Sequence, residues 1–218
     1  VTDKNGVAKS DTLPLGRYTI RETKAPMFYS AAAQPIEAEI EFSGQIVRIE
    51  VLNQSVYTNV SVSKRGYKQV TPSQTIRYDF KNIANNSTVP LNSFYWRDTL
   101  PTSAVRLTKI ITGTWNQKLS YKVVYKTNLH DYRTLADNLS TMKNYSLDAS
   151  PAALGLASNE YVTDFMFVFG TVKAGFAQVD APYILCWTNS WLNNGYQFAN
   201  RTDVGGLHGG QWIMATDR

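Results

Sequence analysis

Hydrophobic and polar residues alternate along most of this chain, which is the pattern of β-strands that bury one face. Turn-forming residues separate the alternating segments, and many short strands joined by turns indicate a β-sandwich. Residues 130–139 depart from this alternation, and their helical spacing predicts a short helix packed on a sheet edge. The apolar positions of that segment are Tyr132, Leu135, Ala136 and Leu139. From residue 57 onward the predicted strands are 57–64, 74–81, 93–98, 105–112, 119–126, 161–169, 183–189, 195–200 and 211–216.

The beginning of the chain predicts a smaller unit of strands and turns. One strand is predicted at 17–23, and the segments 36–42 and 46–52 alternate on either side of a turn, which predicts a hairpin. One apolar row in this unit ends in Glu22, and another ends in Asn53. An acid and an amide therefore close two rows of otherwise apolar side chains.

The chain divides into two predicted domains. Residues 53–55 have the composition of a short linker, so we place one domain at 1–54 and the other at 55–218. The sequence opens at Val1-Thr2-Asp3 without a Met, and it shows no signal peptide and no anchor, so we expect a fragment of a longer protein.

Three predicted strands of the second domain end in different polar groups: the amine of Lys64, the carboxyl of Asp98 and the carboxamide of Asn200. An isolated buried charge costs several kcal/mol or shifts its pKa until the group is neutral. Three such groups buried together are therefore a candidate for chemistry. The rows that they end are Val60, Val62, Lys64; Phe94, Trp96, Asp98; and Tyr196, Phe198, Asn200.

A lysine, an acid and an amide in an apolar core can form an isopeptide crosslink. Burial would turn Lys64 into a neutral nucleophile and keep Asp98 protonated, so that Asp98 can polarise the Asn200 carbonyl and shuttle a proton. The amine would attack the amide carbon and release ammonia, with no cofactor and no metal. By analogy with disulfides, closing so large a loop would stabilise the fold by roughly 4 kcal/mol.

Ordinary structural roles compete with this chemistry. A lysine at a strand end often extends to solvent, and an aspartate before a turn often caps it, which would leave Lys64 and Asp98 without chemical roles. Lys68 is a second candidate donor, although the turn-like Arg65-Gly66 separates it from the apolar row.

Composition narrows the class of function. The chain has 218 residues and a net charge of +5, and its basic residues are scattered, so we expect no nucleic-acid partner. No apolar run is long enough to cross a membrane. Cys186 is the one cysteine, which excludes an internal disulfide. The acids and the histidine at Asp203, Asp217 and His208 lack the spacing of a metal site.

The first domain resembles the last part of the SpaA/CnaB-type prealbumin-like domains of Gram-positive pilins and adhesins. The resemblance implies that Glu22 is the catalytic acid of an isopeptide bond and that Asn53 is its acceptor. In that family the donor lysine is on the first strand, and no lysine here matches it, so we expect Asn53 to stay unpaired. The resembling residues are Leu13-Pro14-Leu15-Gly16-Arg17-Tyr18, Glu22-Thr23-Lys24-Ala25-Pro26 and Val51-Leu52-Asn53, and the lysines that do not match are Lys4, Lys9 and Lys24.

The second domain resembles the isopeptide-forming domains of fimbrial and surface proteins. This resemblance implies that Lys64 donates, Asn200 accepts and Asp98 catalyses. Glu160 is an alternative acid, because related domains sometimes use a glutamate. The resembling segments are Val62-Ser63-Lys64, Gln74-Thr75-Ile76-Arg77-Tyr78, Trp96-Arg97-Asp98-Thr99-Leu100-Pro101 and Gly195-Tyr196-Gln197-Phe198-Ala199-Asn200.

Two other functions compete with a self-crosslinking domain. A thiol enzyme would need Cys186 beside His130 or His208, but Cys186 has the alternation of a core strand residue. A ligand-binding module could use exposed aromatic side chains and the glycine-rich segment 203–210, for which we predict a mobile recognition loop. The tryptophans considered for such a surface are Trp115, Trp187, Trp191 and Trp212.

The sequence thus predicts an all-β protein with a partial prealbumin-like β-sandwich followed by a larger Ig-like/CnaA-like β-sandwich with a short helical insertion. We expect an extracellular stalk segment of a cell-wall-anchored pilin or adhesin, with no turnover of external substrates. The expected partners are adjacent domains of the same surface protein and a possible host glycan or extracellular-matrix ligand. We expect neither a nucleic-acid partner nor insertion of this segment into a membrane.

Overall fold

The computed structural model describes residues 2–26, 28–32, 34–67 and 69–218, which contain strands and turns but no helix. The chain forms two compact units, Val1–Val56 and Tyr57–Arg218. The strands of the first unit are β1 (Gly16–Ile20), β2 (Tyr29–Ser30), β3 (Ile36–Ile40) and β4 (Gln54–Ser55).

The second unit is a sandwich of two antiparallel sheets. One sheet has the order β10-β9-β12-β7-β14-β15, and the other has the order β11-β8-β13-β6-β5. The strands are β5 (Val60–Arg65), β6 (Thr75–Asn85), β7 (Leu91–Thr99), β8 (Val105–Ile111), β9 (Ser120–Thr127), β10 (Arg133–Ser140), β11 (Ser146–Asp148), β12 (Val162–Val172), β13 (Tyr183–Thr188), β14 (Arg201–His208) and β15 (Gln211–Asp217). The prediction of an all-β, sandwich-type protein is therefore confirmed.

Aromatic side chains fill the space between the two sheets. Trp96 is fully buried, and its ring centroid lies 4.6 Å from that of Phe80 on the opposite sheet and 4.6 Å from that of Phe167 on a neighbouring strand. Trp115 is also fully buried and stacks on Phe176. Strand alternation put Phe80, Trp96 and Phe167 on the inner faces because successive residues of a strand point to opposite sides, whereas Trp115 and Phe176 lie outside the strands.

The predicted helix at 130–139 is wrong, because this segment contains the edge strand β10. Strand β10 pairs with β9, but its register shifts between Thr134 and Ala136 and again between Ala136 and Leu139. Each irregularity changes which face the following residues point to. The apolar positions therefore acquire a spacing that imitates a helix.

The glycine-rich segment 203–210 is also different from the prediction of a mobile loop, because most of it is strand β14. A Cβ atom at Gly206 would lie 2.8 Å from Cβ of Leu91, so glycine is needed there for close packing. Gly209 and Gly210 have φ angles of 56° and 82° and form the two-residue turn that leads into β15.

Two predictions of strand pairing and extent are wrong. In the first unit, β3 pairs with β1 rather than with 46–52, whose residues lie outside the strands. Alternation is present in all three segments, so the pattern alone cannot select the partner. In the second unit, residues 195–200 are irregular and the strand begins at Arg201. Tyr196 is accordingly about half exposed instead of being buried.

Candidate functional site

Lys64 points its side chain into the sandwich from the edge strand β5. Its side chain is only 3% exposed, and Nζ lies 2.5 Å from Oδ1 of Asp98. The rings of Tyr78 and Phe80 form the walls around the amine, with centroids 4.7 Å and 4.9 Å from Nζ. The end of this lysine is therefore enclosed by aromatic rings and one carboxylate.

Asp98 lies near the end of β7, in the interior of the six-stranded sheet. Phe94, Trp96 and Asp98 alternate inward and are all fully buried, so the apolar row ends in a carboxyl that has no access to solvent. A carboxyl in that position must find its partners inside the protein. The Asp98 carboxyl has two such partners, one on each of its oxygens.

Asn200 is the second partner of the Asp98 carboxylate. It immediately precedes β14, is 4% exposed, and donates a hydrogen bond of 2.9 Å from Nδ2 to Oδ2 of Asp98. Its Oδ1 is buried and has no hydrogen-bond partner within the described part of the chain. Rotating the amide by half a turn would exchange Nδ2 and Oδ1, so that a protonated Asp98 could donate to Oδ1.

Burial shifts both ionisable groups of the site toward their neutral forms. Desolvation lowers the pKa of Lys64, although the nearby Asp98 charge opposes the shift. Desolvation also raises the pKa of Asp98 to about 6, against the opposing effect of Lys64. A proton transfer from the ammonium to the carboxylate would leave an amine and a carboxylic acid, and low polarity favours that neutral pair.

Side-chain contacts that the sequence analysis did not identify hold β7 against β14 beside this site. Trp96 Nε1 donates to Thr202 Oγ1 at 2.8 Å, and Thr202 Oγ1 donates to the Arg97 carbonyl at 2.9 Å. Arg97 pairs with the buried Asp203, which also accepts a hydrogen bond from Tyr95. Thr202 follows Asn200 by two residues and so continues the same alternation. That pattern could have indicated the contact between Thr202 and Trp96.

The first unit contains a related pair. Asn53 Nδ2 donates to Glu22 Oε1 at 3.0 Å, and the other Glu22 oxygen accepts from the Ala32 amide at 2.9 Å. Asn53 Oδ1 is buried without a hydrogen-bond partner in the described residues, as in Asn200. The lysines of this unit that the sequence analysis considered, Lys4, Lys9 and Lys24, are all exposed.

Glu160 lies in a different environment from Asp98. It accepts hydrogen bonds from Thr127, Arg133 and His130, and the hydrogen bonds from Thr127 and His130 lower its pKa to about 2. Neither Lys64 nor Asn200 is among these partners. A carboxyl with so low a pKa is also poorly suited to donating a proton.

The other candidates of the sequence analysis lie apart from one another. Cys186 is fully buried, and burial raises the pKa of its thiol. His130 instead pairs with Glu160, and His208 contacts the carbonyl of Pro90. Lys68 lies outside the described residues. Among the residues that the structure describes, no group of acids, histidines and cysteines could hold a metal ion.

Residues 1–55 match the family model of the SpaA prealbumin-like fold domain, which confirms the resemblance stated for that segment. This match supports a pilin-type structural domain at this end of the chain. It covers about a quarter of the chain, so it does not assign a family to the second unit. No curated protein and no solved structure matches the chain.

The described residues contain no helix that is long and apolar enough to cross a membrane.

Proposed function

We propose that the second unit forms an intramolecular isopeptide bond between Lys64 and Asn200, with Asp98 as the acid–base group. One observation carries the proposal: Asp98 is fully buried, and its two oxygens contact the amine of Lys64 and the amide of Asn200. A single carboxyl is thus in position to take a proton from the donor and to give one to the acceptor.

The reaction transfers the Asn200 acyl group from one nitrogen to another. The lysine ammonium gives a proton to Asp98, and the neutral Nζ attacks Cγ of Asn200 while the protonated Asp98 hydrogen-bonds to Oδ1. The C–Nδ2 bond then breaks. Asp98 gives its proton to Nδ2, which leaves as ammonia, and the Asp98 carboxylate then takes the second proton from Nζ, so that a neutral carboxylic acid remains. A Lys–Asn amide remains, and no cofactor or external reactant is consumed.

The biological role that we propose is a structural stalk segment of an extracellular, cell-wall-anchored pilin or adhesin. The match of residues 1–55 to a SpaA prealbumin-like domain supports this setting, because that domain type is typical of Gram-positive surface pilins. An internal covalent bond would suit a segment that must resist pulling and proteolysis. The expected neighbours are further domains of the same surface protein, and we expect no turnover of external substrates.

We propose that the first unit does not form such a bond within residues 1–56. Glu22 and Asn53 provide an acid and an acceptor, but Lys4, Lys9 and Lys24 are exposed instead of being buried beside them. A neutral amine requires desolvation, which an exposed lysine does not have. The whole chain should therefore lose one ammonia and not two.

The first test is the intact mass of the purified, folded chain. We expect a mass lower than the sequence value by one ammonia, and a proteolytic peptide in which Lys64 is joined to Asn200. Asp98→Ala and Asp98→Asn should fold but keep the full mass, whereas Glu160→Gln should still lose ammonia. An unmodified mass in the folded wild-type protein would remove the crosslink, and a crosslinked Asp98 variant would remove Asp98 as the catalyst.

A second candidate function is recognition of a host glycan or matrix protein. Trp187, Trp191 and Trp212 are each about half exposed, whereas Trp115 belongs to the core. Exposed indole rings are suitable for stacking on sugar rings or for packing against a protein. A glycan array and a host-matrix pull-down, each performed with the wild-type chain and with variants that replace these three tryptophans by alanine, test this role. Binding that is absent, or unchanged in the variants, would contradict it.

A further inference from the structure

Three polar residues lie side by side across neighbouring strands of the six-stranded sheet. Thr202 on β14 is in register with Asp98 on β7 and, on its other side, with Asp217 on β15. Lys64 contacts both ends of this row. Its Nζ lies 2.5 Å from Asp98, and its backbone N–H donates to Asp217 Oδ2 at 2.7 Å.

The N–H of Lys64 is an edge amide. Strand β5 is the last strand of its sheet and pairs with β6 on one side. The Lys64 N–H donates to an acid of the other sheet, so it is not part of the β5–β6 ladder. Without Asp217 this partly buried amide would lose its partner, and an unpaired buried amide is costly.

The spacing of the row suits the length of a lysine. Neighbouring strands are about 4.8 Å apart, so Asp98 and Asp217, two strands apart, are separated by roughly 10 Å at the backbone. An extended lysine side chain can cover most of that distance. Lys64 is therefore held at its backbone by one carboxylate and at its amine by the other.

We propose that Asp217 is the residue that positions Lys64 for attack on Asn200. By fixing the backbone of the donor strand, it keeps the amine at the Asp98 carboxyl, where the amide also lies. This role rests on the proposed function, because it concerns the rate of the Lys64–Asn200 reaction. Asp217 contacts the backbone of Lys64 and not the reacting atoms.

The charge of Asp217 has an effect that can be separated from its hydrogen bond. The titratable groups that influence Lys64 are Asp98 on β7, Asp217 on β15 and Cys186 on β13, and Tyr78 on β6 faces its amine. The negative charge of Asp217 raises the pKa of Lys64, which opposes the desolvation that activates the amine. An asparagine at 217 would keep an oxygen acceptor but remove this opposing charge.

The experiment follows bond formation during refolding. Because the proposed bond would survive unfolding, chain that has never folded is collected from inclusion bodies in urea, its initial crosslinked fraction is measured by mass, and it is diluted into buffers from acidic to alkaline pH. Samples are quenched at intervals, and the fraction that has lost ammonia gives a rate. The variants are Asp217→Ala, Asp217→Asn and the control Asp137→Ala, which removes an exposed acid from the opposite edge strand of the same sheet.

We expect Asp217→Ala to form the bond about tenfold more slowly, which is the effect expected from losing one buried hydrogen bond. Asp217→Asn should react at close to the wild-type maximum rate, with its pH profile displaced to lower pH. Asp137→Ala should match the wild-type rate and profile. A purely structural role of Asp217 would not displace the pH profile.

The outcomes separate this inference from the proposed function. If the wild-type chain folds without losing ammonia, the crosslink itself is wrong. If the wild-type chain crosslinks and Asp217→Ala reacts at the same rate, the positioning role is wrong. Near-ultraviolet circular dichroism shows whether Asp217→Ala folds. If Asp217→Ala does not fold, the test rests on Asp217→Asn. An unshifted pH profile of bond formation in Asp217→Asn overturns the inference.

Discussion

The two units contain the same acid–amide contact in different surroundings. Glu22 accepts a hydrogen bond from Asn53 at 3.0 Å, and Asp98 accepts one from Asn200 at 2.9 Å. In both units the amide oxygen is buried without a hydrogen-bond partner among the described residues. The second site has Lys64 on the other oxygen of its acid, whereas the corresponding Glu22 oxygen accepts from a backbone amide.

The surroundings of the two contacts also differ. Asp98 lies at the end of a fully buried aromatic row, whereas the rows of the first unit remain partly open, with Val47 41% and Val51 38% exposed. An acid beside an amide is therefore not enough to predict a crosslink. The enclosed, desolvated amine is what makes the second site a candidate for bond formation.

Removing the acceptor of the second unit should have the largest effect. We expect Asn200→Ala to keep the full mass and to lower the free energy of unfolding by roughly 4 kcal/mol, because a large closed loop becomes open. Chemical denaturation followed by tryptophan fluorescence measures this change. Asn189→Ala is the matched control, since Asn189 is also buried and hydrogen-bonded but is bonded to backbone carbonyls. If the two variants were equally destabilised and both kept the ammonia deficit, the loop would not be closed at Asn200.

The buried acid should give the uncrosslinked second unit a pH dependence. With Asn200 present, burial raises the pKa of Asp98 to about 6, and Asn200→Ala removes a hydrogen bond that lowers it, so the folded variant retains a proton that the unfolded chain releases near pH 4. Stability from this group is fully present below about pH 4 and is lost as the pH rises through about 6, a change on the order of 3 kcal/mol.

The measurement is the urea midpoint of Asn200→Ala as a function of pH, compared with the double variant Asn200→Ala/Asp98→Asn. The double variant removes only the titrating carboxyl, so the fall in stability between about pH 4 and 6 should disappear from it. A fall of the same size in both variants would assign the pH dependence to another group.

Close packing of β14 should be the next most sensitive feature of the second unit. Gly206→Ala places a Cβ 2.8 Å from Cβ of Leu91, which is fully buried, so we expect a loss of about 1–3 kcal/mol. Gly205→Ala is the control, because the atoms it meets belong to the partly exposed ring of Tyr95, which can move. Equal thermal stability of wild-type and Gly206→Ala would contradict the packed strand and favour the mobile loop.

The smallest effect is expected in the first unit. Glu22→Gln keeps one carbonyl acceptor for its neighbours, so its cost should be below about 1 kcal/mol. It should leave the mass deficit of the whole chain unchanged, whereas Asp98→Asn should abolish it. A mass increase of one ammonia in Glu22→Gln would show that the first unit also crosslinks, and the contrast between the two units would then disappear.

The sequence predicted the face of a strand on which a side chain lies wherever hydrophobic and polar residues alternate regularly. It placed Asp98 on an inner face because Phe94, Trp96 and Asp98 alternate along β7, where the register from Tyr95 to Thr99 is regular against both neighbouring strands, and all three are buried. It placed Lys64 on the inner face of β5 because Val60 and Val62 precede it in alternation, and the register shift between Ser61 and Ser63 puts its extra residue on β6. The local pattern therefore assigned the face of both side chains, whereas the burial of the Lys64 amine depends on Asp98, Tyr78 and Phe80 on other strands.

The hydrophobic pattern gave wrong or missing predictions where the structure of a segment depends on residues distant in sequence. The register shifts of β10 arise from its pairing with β9, and they gave its apolar positions helical spacing. The glycines of β14 resemble a flexible loop until Leu91 and Tyr95 are placed against them. The hydrogen bond from Lys64 to Asp217 joins residues separated by 153 positions, and no local signal in the sequence could predict it.

The positions of Lys64 and Asn200 within the second unit determine how far that unit could stretch. Lys64 lies near the beginning of Tyr57–Arg218, and Asn200 lies near its end. With a bond between them, only the two short flanking segments could extend under tension, by roughly 90 Å in total, instead of more than about 550 Å for the fully extended unit. A pulling force would then pass through the covalent bond, and the unit could lengthen by only about a sixth of what its complete extension would allow.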